Sequence, residues 1–166
     1  MAASSSVQDL ILCDLRDRPE FREAVIAQNL ESWGAFTDLN RAEMAALFAL
    51  AVPRRQLPIT FIAVLAGRYV GCVSLRAVTM GAVKHKEVYS DATPWLSNMW
   101  VAEEARGHGI ASKLTECVLN AARDMGFKTL YSSVATEDSL YHKMGFRTTL
   151  SRAYGGYTVY LIEKTL

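Results

Sequence analysis

The chain has 166 residues, enough for one domain with a sizeable hydrophobic core. Its 18 basic and 17 acidic side chains leave a net charge of +1, and 51% of the residues are hydrophobic. This balance argues against nucleic acid or an anionic membrane as a partner, because both favour a concentrated basic surface. The apolar run at residues 59–66 is far too short to span a bilayer. These features predict a soluble, cytoplasmic globular protein.

The cysteines and the N-terminus are consistent with that class. Cys13, Cys72 and Cys117 are widely spaced and odd in number, so they predict buried, reduced thiols rather than a disulfide framework or a zinc site. Residues 1–7 are predicted to be a disordered tail, because the segment lacks the basic and apolar regions of a signal peptide. Residues 8–166 contain no linker or repeat and are predicted to form one domain.

After a weakly alternating first strand, the chain carries signals for two helices. Pro19 suits the first position of a helix that we expect Gly34 to end. Asn40 and Glu43 form a capping-box pair that predicts the start of a second helix, with Pro53 and Pro58 stopping it.

Strand signals follow. Residues 61–65 and 69–75 are β-rich and are joined through Gly67, which predicts a hairpin. Residues 79–94 predict a long polar loop. Residues 95–101 predict a strand in which alternate side chains point to opposite faces.

The last part of the chain predicts a glycine turn, a helix, and three further strands. The helix has an apolar stripe at helical spacing and a glycine, Gly126, suited to its C-terminal cap. Residues 129–134 predict a strand and residues 139–143 a short helix. Two final strands are expected on either side of Gly155 and Gly156.

The segment 106–112, Arg-Gly-His-Gly-Ile-Ala-Ser, carries the strongest functional signal. A glycine turn that enters a helix presents backbone N–H groups without intrahelical partners, and these suit a pyrophosphate. Glycine allows the anion to approach where a Cβ would stand, and Arg106 can add a charge. A plain turn before a helix is the alternative interpretation.

Two other phosphate motifs fit less well. A P-loop ends in Gly-Lys-Ser/Thr, which residues 111–113 do not supply. A dinucleotide-binding fingerprint needs a third glycine where Ser112 stands, although the acidic pair Glu137 and Asp138 follows the next strand. Too little chain remains for a second nucleotide-binding half. A dinucleotide-dependent oxidoreductase therefore stays as a secondary alternative.

The pattern Arg106-x-x-Gly109-x-Ala111 resembles the Gln/Arg-x-x-Gly-x-Gly/Ala acetyl-CoA motif of the GNAT superfamily of N-acetyltransferases. Residues 95–101 resemble the fourth strand of that family, and residues 140–146 resemble its Leu-Tyr-x-x-x-Gly-Phe segment. The resemblance covers roughly residues 61–164. It implies an α/β fold of GNAT type: a mixed, mostly antiparallel sheet, splayed between strands 4 and 5 and flanked by helices.

The resemblance also implies a cosubstrate, acetyl-CoA, and the residues that would hold it. Its pantetheine arm is expected along the backbone of Met99, Trp100 and Val101. Its pyrophosphate is expected on the backbone amides of a continuous stretch, namely Arg106, Gly107, His108, Gly109, Ile110, Ala111 and Ser112. The acetyl group would end near Tyr141, the candidate proton donor to the departing thiolate, for which packing or CoA positioning is the alternative role.

The acceptor side is less well defined. Trp33 and Phe36 are expected between the first two helices, where they either line the acceptor pocket or pack in the core. A small-molecule or peptide amine is the expected acceptor, and the protein is expected to be a monomer or homodimer.

His142 is expected to be an exposed helix residue, and His108 to point its ring to solvent. No set of His, Cys and carboxylate residues at metal-ligand spacing is evident.

These features predict acetyl transfer by direct attack of the amine in a ternary complex, because no Ser or Cys stands in a nucleophile pattern with a histidine and an acid. The attacking amine must be neutral, and a lysine-like amine is neutral in roughly one molecule per two thousand at pH 7. The predicted fourth strand contains no carboxylate, so the general base is unassigned among Glu87, Asp91, Glu137 and ordered water. A catalytically silent acetyl-CoA sensor on the same fold is the main alternative.

Overall fold

The computed structural model describes residues 9–86, 92–154 and 156–166. The strands, in chain order, are β1 Leu10–Asp14, β2 Ile59–Leu65, β3 Arg68–Arg76, β4 Trp95–Val101, β5 Thr129–Val134, β6 Arg147–Tyr154 and β7 Tyr157–Thr165. The α-helices are α1 Arg22–Thr37, α2 Arg41–Ala46, α3 Ile110–Asp124 and α4 Leu140–Lys143, and short 3₁₀ turns lie at Leu15–Asp17, Pro19–Phe21, Gly81–Val83 and Glu103–Ala105. The predicted tail, residues 1–7, lies outside the described residues, as do Glu87, Asp91 and Gly155.

The strands form a seven-stranded sheet in the order β1-β2-β3-β4-β5-β7-β6. Neighbouring strands are antiparallel except β4 and β5, which run parallel and pair only at Trp95 and Tyr131. One further bond, from Ser132 Oγ to the Leu96 carbonyl at 2.9 Å, joins the two strands. Beyond Leu96 the ladder stops and the strands diverge. The predicted mixed, mostly antiparallel sheet, splayed between strands 4 and 5, is therefore confirmed.

Helices cover both faces of the sheet. On one face α3 buries Leu114, Val118 and Leu119 against the strands. On the other face α1 and α2 form a second buried cluster that includes Ile26 and Met44. The stripe predicted for α3 is thus the face that builds the first cluster, since side chains three and four residues apart share one side of a helix.

The predicted strict alternation along β4 is wrong. Leu96 and Val101 are five residues apart, yet both belong to the core under α3. The register between β3 and β4 shifts between Cys72 and Ser74, and Asn98 has a positive φ of 50°. A bulge of this kind adds a residue on one strand and so reverses the facing of the side chains beyond it. It lies where β4 leaves β5.

The end predicted for the first helix is also wrong. Gly34 lies within α1, which continues to Thr37 and ends at Asp38 in the left-handed conformation, with φ of 57°. The Leu39 N–H closes this end by donating to the Gly34 carbonyl at 3.3 Å. A Cβ on Gly34 would stand 3.0 Å from the Leu30 side chain. The glycine therefore serves close packing inside the helix rather than its termination.

The second helix stops at Ala46, well before the predicted stop at Pro53. Arginine side chains donate hydrogen bonds to the backbone carbonyls at its end. Arg22 donates to the carbonyls of Ala45 and Phe48 at 2.8 Å, and Arg76 donates to that of Leu47 at 2.9 Å. Arg76 is buried with its guanidinium 5.0 Å from the centre of the Phe48 ring, and burial lowers its pKa to about 10. Long-range donors, rather than a local signal, thus end α2.

The capping box of α2 is confirmed, with Glu43 N–H donating to Asn40 Oδ1 at 3.0 Å and Asn40 N–H donating to Glu43 Oε2 at 2.9 Å. We expect Asn40→Ala to lower the free energy of unfolding by about 1 kcal/mol, because it leaves an N-terminal N–H without a partner. Thermal unfolding should show a fall in Tm of roughly 2–4 °C. Asn120→Ala on the exposed face of α3 is the control, and an equal loss there would contradict the capping role.

Of the remaining local predictions, the hairpin is confirmed and the burial of the cysteines is confirmed only in part. The predicted hairpin between β2 and β3 is present, and its turn has two residues, Ala66 and Gly67, both with positive φ. All three cysteines are free, but only Cys72 is buried, whereas Cys13 and Cys117 are half-buried. No helix in the described part of the chain is long and apolar enough to cross a membrane.

Candidate active site

The glycine turn leads directly into α3 and leaves its backbone donors open. Gly107 and Gly109 have φ of 79° and 74°, and Gly109 is the N-cap of the helix. The first helical bond runs from the Lys113 N–H to the Gly109 carbonyl. The N–H groups of residues 107–112 therefore find no acceptor among the described residues. Six amide donors at the positive end of a helix form a site suited to a phosphate group.

Side chains on either side of the glycines hold this turn in place. Arg106 Nε donates to the Val101 carbonyl at 3.0 Å, which ties the turn to the end of β4. His108 Nδ1 lies 3.3 Å from the Ala105 carbonyl, and its side chain is exposed as expected. Nothing lies within 4 Å of the position that a Cβ would take on Gly107 or Gly109. The turn is thus anchored while the space in front of it stays open.

A cavity of about 610 Å³ occupies the gap between β4 and β5. It is lined by four groups of residues: Ser32, Trp33, Phe36 and Thr37 from α1; Thr79, Met80 and Gly81 from the loop after β3; residues 96–99 and 132–135 of the two strands and their ends; and Leu140, Tyr141, Tyr157, Thr158 and Val159 from α4 and β7. The bulge at Asn98 is part of its wall.

The structure brings several of the predicted site residues to this cavity and leaves others outside it. Trp33 and Phe36 line it, although they belong to the last turns of α1 rather than to the connection after it. Met99 also lines it, whereas the Trp100 ring stacks on Tyr69 with the ring centres 5.5 Å apart. Val101 is buried in the core under α3.

Tyr141 lines the cavity from the start of α4. Its side chain is 9% exposed and its ring packs edge-on to Phe146, with the ring centres 5.5 Å apart. Its hydroxyl has no hydrogen-bond partner within the described ranges. Burial raises the pKa of the phenol above its usual value. The group therefore stays protonated at neutral pH and can donate a hydrogen bond into the cavity.

His142 holds the short helix that carries Tyr141. Its Nδ1 lies 2.9 Å from Ser139 Oγ and accepts from the Ser139 N–H at 3.3 Å, while its Nε2 lies 2.9 Å from Thr148 Oγ1. It is half-buried, so the expectation of an exposed helix residue is wrong. Both ring nitrogens serve to cap α4 and to join it to β6.

A buried polar network, absent from the sequence-based predictions, joins α1 to the bulge of β4. Gln28 Oε1 accepts from Tyr69 Oη at 2.9 Å and from Asn29 Nδ2 at 3.0 Å. The Cys72 thiol lies 3.5 Å from both Gln28 Oε1 and the Asn98 carbonyl. The sequence does contain a signal for this network: Gln28 and Asn29 are adjacent amide side chains in α1, a helix whose apolar residues predict burial on more than one side.

We expect Gln28→Leu to lower the free energy of unfolding by about 2–3 kcal/mol, because it leaves the buried Tyr69 hydroxyl and the Asn29 amide without this acceptor. Thermal unfolding should show a Tm roughly 5–10 °C lower. Gln56→Leu makes the same chemical change at an exposed position and should have little effect. A loss of less than about 0.5 kcal/mol for Gln28→Leu would contradict the importance of the network.

The acidic residues considered as bases are not brought to the cavity by the described structure. Glu137 is exposed in the segment after β5 and is not part of the lining. Glu87 and Asp91 lie outside the described residues. Among the described lining residues, none carries a charged side chain. The geometry therefore assigns no general base.

The sequence model of the acetyltransferase (GNAT) domain matches residues 57–148, more than half of the chain, so the chain belongs to the GNAT acetyltransferase family. Acetyl-CoA is the cosubstrate of that family. A search of curated proteins gives no significant match.

Solved structures share the fold at low sequence identity. A GNAT-family acetyltransferase from Streptococcus pneumoniae is 22% identical with a TM-score of 0.69, over 95% of this chain and 99% of that one. An aminoglycoside 6'-acetyltransferase type Ii is 16% identical with a TM-score of 0.67, over 93% and 96%. A GNAT-family acetyltransferase from Elizabethkingia anophelis with acetyl-CoA bound is 20% identical with a TM-score of 0.50, over 66% and 76%.

Proposed function

We propose that this chain is an N-acetyltransferase that moves the acetyl group of acetyl-CoA to an amine within a ternary complex. The observation that carries the proposal is the open turn of six amide donors at residues 107–112, which Arg106 ties to the end of β4, the strand whose residues 96–99 line the cavity with Tyr141. Family membership supports the type of reaction. The acceptor is a small-molecule or peptide amine that enters the same cavity.

The residues present fit acetyl-CoA. The amide donors of residues 107–112 match the oxygens of a pyrophosphate, and Arg106 lies beside them with its Nε engaged by the Val101 carbonyl. Past Leu96, the edge of β4 that faces β5 has no ladder partner among the described residues, so residues 99–101 can pair with the amides of a pantetheine arm. The Elizabethkingia anophelis structure that shares the fold holds acetyl-CoA.

Acetyl-CoA supplies an activated acyl carbon. The neutral amine attacks this carbon, a C–N bond forms, and the C–S bond breaks with its electron pair leaving on sulfur. Tyr141 lines the cavity with its phenol protonated, and we assign to it the hydrogen bond that stabilises the developing thiolate. The products are an N-acetylated amine and the free thiol: the amine proton passes to water, and the thiolate takes a proton from the Tyr141 phenol, which water then reprotonates.

Two features of the described residues favour direct transfer. Cys72, whose thiol lies 3.5 Å from the carbonyl of the lining residue Asn98, is buried in the polar network, and burial raises the pKa of the thiol. Because a nucleophilic cysteine needs a lowered pKa, Cys72 is unsuited to carry an acyl group. The Ser139–His142 pair caps α4 and is not part of the cavity lining. An acyl-enzyme is therefore not required.

Thermal unfolding with acetyl-CoA, CoA, NAD or ATP tests the cofactor part of the proposal. At about a hundred times Kd, a bound ligand adds roughly 2.7 kcal/mol to stability, which corresponds to a rise in Tm of roughly 5–10 °C. We expect this rise with acetyl-CoA and CoA. A rise with NAD alone would contradict the proposal and favour a dinucleotide-dependent protein.

A further inference from the structure

We propose that the acceptor is a primary amine on an uncharged, apolar body, an aromatic or aliphatic monoamine, rather than a polyamine or another polycation. This inference rests on the proposed acetyl transfer and concerns the part of the cavity that faces α1 and β7. The observations that carry it are the apolar groups of that wall, their fixed packing, and the way in which its polar groups are already used.

Aromatic and apolar side chains form the wall. Trp33 and Phe36 lie one turn apart near the end of α1, and Met80 and Val159 face the same space. The Phe36 ring packs on Tyr154 with the ring centres 4.7 Å apart, and Tyr154 Oη donates to the Phe36 carbonyl at 2.6 Å. This contact fixes the end of α1 against β6. The wall is therefore a preformed apolar surface, which suits the side of a ring or an alkyl chain.

Hydroxyl groups on the wall are largely engaged within the protein. Thr37 Oγ1 donates to the Trp33 carbonyl at 2.7 Å, Ser32 Oγ accepts from Gln28 at 2.9 Å, and Ser132 Oγ donates to the Leu96 carbonyl. The Ser133 and Thr158 hydroxyls have no partner in the described part of the chain. A single amine can be oriented by such neutral groups, and it loses its charge before it attacks.

The lysine near this end of α1 is already engaged within the protein. Lys84 Nζ lies 3.0 Å from Glu43 Oε2 and also donates to the Asp38 carbonyl. Within the described residues, the cavity lining itself carries no charged side chain. A second ammonium group on the acceptor would lose water on entering and would meet no carboxylate among the described lining residues, which is costly. The described lining thus selects against a second positive charge.

A monoamine acceptor would distinguish this chain from two proteins that share its fold, the aminoglycoside 6'-acetyltransferases at 16% and 13% identity. Aminoglycosides carry several amines on a polar body. Similar topology does not imply a similar acceptor, because the groups that line the site decide which body can be bound.

The test compares hexylamine with 1,6-diaminohexane, two acceptors of equal chain length that differ by one ammonium group. The initial rate of thiol release from acetyl-CoA is measured for both, with 2-phenylethylamine, spermidine and kanamycin as further acceptors. We expect kcat/KM for hexylamine and 2-phenylethylamine to exceed that for 1,6-diaminohexane at least tenfold. Equal or faster reaction of 1,6-diaminohexane, spermidine or kanamycin would overturn the inference while leaving acetyl transfer intact.

Variants of the wall make the test independent of the choice of amines. Thr158→Asp adds a carboxylate at an exposed lining position and should raise the ratio of kcat/KM for 1,6-diaminohexane over hexylamine about tenfold. Phe36→Ala should lower kcat/KM for 2-phenylethylamine about tenfold. Leu150→Ala on β6, outside the lining, should change neither the ratio of the two diamine and monoamine kcat/KM values nor the kcat/KM for 2-phenylethylamine. An unchanged ratio in Thr158→Asp would contradict the assignment of this wall to the acceptor. Thiol release with none of the amines would refute this inference, whereas a rise in Tm with acetyl-CoA tests the proposed function separately.

Discussion

The Tyr141→Phe variant is expected to transfer acetyl groups about a hundredfold more slowly than the wild type, with the KM for acetyl-CoA nearly unchanged. A positioned proton donor typically contributes 10²- to 10⁴-fold to a reaction of this kind. The substitution removes only the hydroxyl, and the ring contact with Phe146 is retained. The effect should therefore appear in kcat, measured by thiol release at saturating acetyl-CoA, rather than in stability.

Tyr131→Phe is the control for this prediction. Tyr131 lies in β5, packs on Trp95 of β4 and is outside the cavity lining, so loss of its hydroxyl should leave kcat within about twofold of wild type. Equal kcat values for Tyr141→Phe and the wild type would assign Tyr141 to packing or to CoA positioning instead. A fall in kcat/KM with kcat unchanged would point to positioning in particular.

Gly109→Ala is expected to raise the Kd for CoA at least tenfold, measured by isothermal titration. Gly109 has φ of 74°, a conformation in which a Cβ is strained, and strain of this kind costs on the order of 1–3 kcal/mol. Relief of that strain would turn the amides of residues 107–112 away from one another. A retained conformation would instead place a methyl group where the phosphate approaches.

Gly126→Ala is a closely matched control. Gly126 follows the other end of α3, has φ of 84°, and likewise has nothing within 4 Å of its Cβ position. It should lose a similar amount of stability, but its Kd for CoA should stay at the wild-type value. Equal affinity losses in both variants would mean that general destabilisation, rather than the turn, controls binding.

Sequence signals that span only a few residues are sufficient to predict much of the fold. The capping box at Asn40, the two-residue hairpin turn at Gly67 and the glycines before α3 each depend on neighbours within one turn of chain. The order of strands around the motif at residues 106–112 then led to the family resemblance. For the same reason Tyr141 could be named in advance from the segment in which it stands.

Features that depend on distant contacts were not accessible in this way. The end of α2 is decided by Arg22 and Arg76, which are far from it in the chain. The bulge at Asn98 depends on pairing with β3, and its polar support comes from Gln28 on α1. The acceptor side was only partly anticipated, since Trp33 and Phe36 line the cavity from within a helix that was expected to have ended near Gly34.

Transfer of an isotope-labelled acetyl group shows directly whether this chain is an acetyltransferase. The protein is incubated with labelled acetyl-CoA and the panel of amines, and mass spectrometry measures acetylated amine while a thiol reagent measures CoA. We expect equal amounts of N-acetylated amine and free CoA, formed only when enzyme and amine are both present. Tight binding of acetyl-CoA without any amine-dependent product would contradict this expectation, and would identify the chain as an acetyl-CoA-binding protein without transferase activity.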